Sequence, residues 1–190
     1  MKTDNYLLAL IPNQQTRLKL QELRRSVFRN FGILSALSLE PLIPVSILSH
    51  KAEKDKIIRA LSPENDTAAA PPKFTLSSAI HEGEYIFIDI MEKRTLSSIR
   101  DRLHEYSVKT TWTFPVYPGL FIAHHEGLPF GEILSFLDTS GTGPIEWSSS
   151  RAALYSISFP AGSTAWWEEV QWTMEWQFPF RKSLTDASYP

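Results

Sequence analysis

The chain has 190 residues, enough for one domain or for two small lobes sharing a core; 43% are hydrophobic and 21% charged, and eleven Phe, six Tyr and six Trp can fill that core. The absence of cysteine excludes disulfides, thiolate metal sites and cysteine nucleophiles. A net charge of −2 makes no overall case for nucleic acid, no run approaches the ~18 apolar residues of a membrane span, and the opening residues read as a strand rather than a signal peptide, so a cytoplasmic protein is expected.

The charge is unevenly spread. Residues 1–60 carry ten Lys/Arg against five Asp/Glu, and the remainder carry nine against sixteen. The basic first part fits a solvated helix or a site for a polyanion.

In chain order, Tyr6–Ile11 is a fully apolar strand. A helix follows Pro12-Asn13, with Leu18, Leu20, Leu23, Val27, Phe28 and Phe31 near helical spacing, Asn13 as its cap and Gly32 as its stop. Short strands are expected around Ile33–Leu39 and Ile43–Leu48, then a helix over Lys51–Leu61. The stretch SPENDTAAAPPK, Ser62 to Lys73, reads as a loop, and Phe74–Ile80 as a strand closing this half.

The pattern then restarts. Glu84–Met91 is a strand, and Thr95 can cap a helix carrying Leu96, Ile99, Leu103 and Tyr106. Thr110–Phe114 and Leu120–Ala123 are strands, Pro129–Leu137 a short helix, Ser140–Pro144 a turn and Ala153–Phe159 a strand. In VQWTMEWQFPF, Val170, Trp172, Met174, Trp176, Phe178 and Phe180 alternate with mostly polar residues, which predicts one buried and one polar face.

The order strand–helix–strand–strand–helix–strand therefore occurs twice, with YLLALIP and YIFIDIM at the same place in each copy. The expected fold class is α+β: two pseudo-symmetric ferredoxin-like βαββαβ lobes, with antiparallel sheets around a central cleft and helices outside. Lobe one would span about 1–80 and lobe two about 81–190, within a single bilobal domain whose last strands are candidates for exchange between lobes.

This layout, with LIPVSIL at Leu42–Leu48 and YPGLFIA at Tyr117–Ala123 in the matching places, resembles the two-histidine phosphoesterase superfamily, or LigT-like RNA 2′,3′-cyclic phosphodiesterases. The resemblance implies that each lobe would supply a His-x-Thr/Ser motif on a strand facing the cleft. One histidine serves as general base and the other as general acid on a cyclic phosphate, while the hydroxyls bind phosphate oxygens. Aligned on strand position, Pro44 and Ser46 stand at the first motif, and Gly119 and Phe121 at the second. Both histidines are replaced and one hydroxyl, Ser46, survives, so the resemblance concerns the fold and not the family's chemistry.

Other chemistry-bearing residues are weaker candidates. His124 and His125 are adjacent on a strand and so point to opposite faces, with no metal-binding spacing around them. If Gly119, Phe121 and Ala123 line the cleft, regular alternation puts His125 on their side and His124 toward the helices. Pro44, Ser46, Leu48 and His50 would share a face in the same way. His50 and His125 each lie six residues, about 20 Å of strand, past the lost motif positions. Ser148-Ser149-Ser150 with Arg151 offers a phosphate contact or a polar loop, and GTGP lacks the helix and lysine of a phosphate-binding loop. Trp166-Trp167 is the better surface aromatic pair, whereas Trp172 and Trp176 read as core.

Three functions follow. The first is a catalytically degenerate relative that binds a nucleotide, RNA end or other phosphorylated ligand through Ser46, Pro44, Gly119, Phe121 and His125. The second is a hydrolase with chemistry relocated to His125 and His50. The third is a protein-interaction module using an aromatic patch. No cofactor or metal is expected.

Overall fold

The computed structural model describes residues 5–48, 54–61, 72–111, 119–124, 130–140, 144–158 and 170–180. The apolar opening run forms strand β1, Asn5–Pro12. Helix α1, Gln14–Phe31, begins where Asn13 Oδ1 accepts the Thr16 N–H at 2.9 Å. It ends at Gly32, whose positive φ of 70° lets its N–H close on the Phe28 carbonyl at 2.8 Å.

The strand expected around Ile33–Leu39 is instead a 3-10 turn, Leu34–Leu37. Its Leu34 and Leu37 are exposed, so the apolar run there marks no strand. Strand β2, Ile43–Leu48, and helix α2, Lys54–Leu61, follow. Strand β3, Lys73–Glu82, pairs with strand β4, Tyr85–Ile90, through a turn at Gly83, whose φ is 58°. Helix α3, Lys93–Glu105, starts before Thr95, which lies inside it; Glu92 holds the cap position while its carboxylate accepts the Thr75 N–H and hydroxyl at 2.6 and 2.8 Å.

Strand β5 is Thr110–Thr111, β6 is Gly119–His124 and helix α4 is Phe130–Thr139. Strand β7 runs from Ile145 to Ser158, far longer than the apolar segment that announced it. The polar run Ser148–Arg151 interrupts its hydrophobic pattern without breaking the strand. Strand β8, Gln171–Pro179, pairs with the second half of β7.

The architecture is α+β, with antiparallel pairing throughout. β7 joins the two halves into one path, β5-β2-β1-β7-β3-β4-β6, its start pairing with β3 and its end with β1 and β8. All four helices contribute buried residues to one core with Leu8, Leu10, Val45, Ile86, Ile88, Leu120 and Leu154, and so lie on one face of the sheet. A second core on the opposite face gathers Leu7, Ala9, Ile11, Leu42, Ile47, Ala153, Tyr155 and Ile157. Although distant in strand order, β2 and β6 approach one another, so the path curls on itself.

The alternation in β8 conceals a bulge. Leu154 pairs with Trp176 and Tyr155 with Met174, leaving Glu175 as an extra residue. Trp172 therefore lies with the second core, its ring centroid 5.1 Å from that of Tyr155, while Trp176 and Phe178 join the helix-side core. The single buried face expected from the sequence is split between both faces of the sheet.

Candidate functional site

β2 and β6 carry the positions at which the resemblance would place catalytic residues, and every residue of both strands is buried. Each strand contains a bulge. On β2, Leu8 pairs with Ser46 and Ala9 with Pro44, so Val45 is the extra residue. On β6, Ile86 pairs with Ala123 and Phe87 with Phe121, so Ile122 is the extra residue. A bulge interrupts the ladder and reverses the alternation of side chains beyond it.

This corrects three expectations. Pro44 pairs with Ala9 of the second core, but Ser46 pairs with Leu8 of the helix-side core, so Pro44 and Ser46 do not share a face. Ala123 joins the helix-side core instead of sharing the side of Phe121. His124 lies on the Phe121 side rather than toward the helices: it pairs with Tyr85, and Phe121 with Phe87, two residues apart on β4. Superposing the two bulges matches Pro44 with Phe121 and Leu42 with Gly119, a shift of two residues from alignment on strand position. His50, His125 and the Trp166-Trp167 pair lie outside the described residues.

Aromatic rings of β4 and β6 line this face. Phe121 meets Phe87 edge-on at 6.1 Å between centroids, and Tyr85 lies 4.5 Å from the His124 ring. His124 is buried with its Nε2 3.2 Å from Glu84 Oε2. Its backbone N–H donates to Ser35 Oγ at 2.8 Å, and the same hydroxyl donates to the His124 carbonyl at 2.5 Å. The turn after α1 is thereby fastened to β6.

Ser46 is fully buried, and its hydroxyl has no hydrogen-bond partner among the described residues. The carbonyl of the bulged Val45 is satisfied by Arg100 Nε of α3 at 2.7 Å, and burial lowers the pKa of that arginine. This contact ties α3 to the first motif strand.

A cluster of titratable groups lies at Tyr155, on the face of the second core. Tyr155 donates to Glu40 Oε1 at 2.5 Å, and Arg17 lies 3.6 Å from Glu40 Oε2. Burial, then the hydrogen bond and charge of Glu40, push the tyrosine pKa well up, against the opposing charges of Arg151 and Arg17. Sequence reasoning missed Tyr155 and Glu40, which are 115 residues apart and share no motif. It named Arg151 for a different neighbourhood.

Ser148-Ser149-Ser150 line a broad groove of about 1700 Å³ together with Asn13, Lys19 and Lys73. Two of the three hydroxyls serve the fold: Ser149 accepts from Trp147 Nε1 at 3.1 Å, and Ser150 donates to the Pro12 carbonyl at 3.0 Å. Among the described residues no group of three His, Asp or Glu could hold a metal, and no helix is long and apolar enough to cross a membrane.

No family model matches the chain, and no curated protein matches it in sequence. Solved structures do match in fold. Escherichia coli LigT in complex with 3′-AMP aligns with TM-score 0.57 and 10% identity, over 94% of this chain and 99% of that one. The Thermus thermophilus protein TT0787 aligns with TM-score 0.58 and 16% identity, over 94% and 98%. LigT in complex with NADP+ aligns with TM-score 0.55 and 10% identity, over 96% and 100%. The chain thus has the LigT-like two-histidine phosphoesterase fold across nearly its whole length.

Proposed function

We propose that this chain is a catalytically degenerate protein of the two-histidine phosphoesterase fold that binds a nucleotide, an RNA end or another phosphorylated ligand without turning it over. One observation carries the reading. In either register, the motif positions on the face of Phe121 hold Leu42, Pro44, Gly119 and Phe121, and none of these side chains can accept or donate a proton. General acid–base cleavage of a cyclic phosphate needs two titratable groups in hydrogen-bond reach of the reacting oxygens. Here hydrocarbon fills those places.

Cationic side chains stand at Phe121 and, separately, at Tyr155. Arg24 lies beside Phe121, and Arg17 and Arg151 act on Tyr155. LigT, of the same fold, has been solved with 3′-AMP, which supports a ligand of nucleotide size. Ser46 does not serve this reading, because its hydroxyl faces the helix-side core.

The test is a panel of 2′,3′-cyclic nucleotides and cyclic-ended RNA, with adenosine monophosphates titrated in parallel by calorimetry. Saturable binding of a monophosphate with no turnover of any cyclic phosphate is expected. Metal-independent cleavage that disappears in His125→Ala overturns the proposal.

A further inference from the structure

Arg24 is the most unusual charged residue of the described chain. It sits midway along α1 and is only 3% exposed, buried with Leu20, Leu23 and Val27. Its Nη1 donates to the Leu39 carbonyl. Its Nε and Nη2, both buried, have no hydrogen-bond partner among the described residues, and no carboxylate there forms an ion pair with it. The guanidinium carbon lies 5.9 Å from the centroid of the Phe121 ring.

Burying a guanidinium without a counter-charge costs several kcal/mol, and one carbonyl and one ring face offset only part of that cost. Desolvation lowers its pKa to about 10, which still leaves it charged at neutral pH. Nε and Nη2 form one edge of the guanidinium fork, the edge that grips two oxygens of a phosphate or carboxylate side by side. The edge without a partner among the described residues is thus the one suited to an oxyanion, and it belongs to a side chain resting against strand β6.

We propose that Arg24 is the anchor for the phosphate group of the ligand, taking two of its oxygens on Nε and Nη2 beside Phe121. This inference rests on the phosphate-binding reading above and assigns it a residue that neither lost motif contains. The arginine replaces the phosphate-binding role of the absent hydroxyls while bringing no proton-transfer group, so it retains binding without restoring catalysis.

The probes are inorganic phosphate and adenosine 3′-monophosphate, titrated into the full chain. With ¹⁵N-labelled arginine, the Arg24 Nε–H resonance is expected to shift saturably with each probe. In Arg24→Met, which keeps the length and apolar stem, affinity for both probes should fall at least tenfold. The urea midpoint of that variant in phosphate-free buffer should not fall, because an uncompensated charge has been removed. Arg24→Lys keeps the charge but loses the fork, and should also bind at least tenfold more weakly. Undiminished binding by Arg24→Met or Arg24→Lys, or a static Nε–H resonance, overturns the assignment while leaving the phosphate-binding reading in place. A lower urea midpoint for Arg24→Met, or its failure to fold, also overturns it, because the guanidinium would then already be compensated. If the wild-type chain binds neither probe, the phosphate-binding reading itself fails.

Discussion

Pro44 and Ser46 stand two residues apart on β2 yet lie on opposite faces of the sheet, because Val45 between them is the extra residue of a bulge. Phe121 and Ala123 are divided in the same way by Ile122. The two strands keep a common distortion although their sequences differ, and the distortion decides which side chains face which core.

Ser46 is the first place where this has a measurable consequence. A buried hydroxyl without a partner costs about 1–3 kcal/mol relative to an apolar group of the same shape. Ser46→Ala should therefore raise stability by about 1 kcal/mol in urea unfolding, and leave phosphate affinity unchanged. A loss of affinity in this variant would return Ser46 to the ligand.

Ser35 has the opposite character. Its hydroxyl serves both the N–H and the C=O of His124, at 2.8 and 2.5 Å, and the residue is fully buried. Ser35→Ala leaves two backbone groups without that partner, at about 1–3 kcal/mol each. The expected loss is about 2–4 kcal/mol in urea unfolding, with faster amide exchange at the end of β6. A change below roughly 0.5 kcal/mol, the scale of a neutral surface substitution, would show that the bridge contributes little.

Tyr155 gives a pH dependence whose sign can be worked out. Its folded pKa is raised, by burial first and then by Glu40, so the folded state favours the neutral phenol. Its contribution is fully present below the unfolded tyrosine pKa, near 10, and declines as pH rises toward the folded value. Stability should fall steeply above about pH 10 in the wild type and less steeply in Tyr155→Phe. Tyr155→Phe should also cost about 1–2 kcal/mol at neutral pH, because the bond is to a charged acceptor. Unfolding titrations from neutral pH to about pH 11 would measure both effects. Equal alkaline slopes would remove the tyrosine from the account.

Much of the fold was legible in the sequence. Asn13 and Gly32 bracketed α1 because capping chemistry is local: a side-chain acceptor for the first N–H groups and a residue that tolerates positive φ. The repeated element order pointed to the α+β fold for the same reason, since hydrophobic period and turn residues act within a few positions. Ile33–Leu39 was misread as a strand, because a short apolar run does not distinguish a strand from a 3-10 turn. The length of β7 was hidden because its polar residues are satisfied by partners distant in sequence, such as Ser150 by the carbonyl of Pro12.

By itself, the sequence determined the α+β order of strands and helices and the identity of the residues at Pro44 and Gly119, since both are matters of residue identity and local spacing. Only the tertiary structure decided which side chains meet. Reading a face from a strand assumes unbroken alternation, and register shifts break it, those at Val45, Ile122 and Glu175 among them. Nothing in LIPVSIL or GLFIAH marks those bulges, because both strands are buried on both faces and apolar side chains suit either one. The same holds for Arg24, one of several arginines on a basic helix until the turn after α1 and strand β6 close around it and leave Nε and Nη2 without a partner among the described residues.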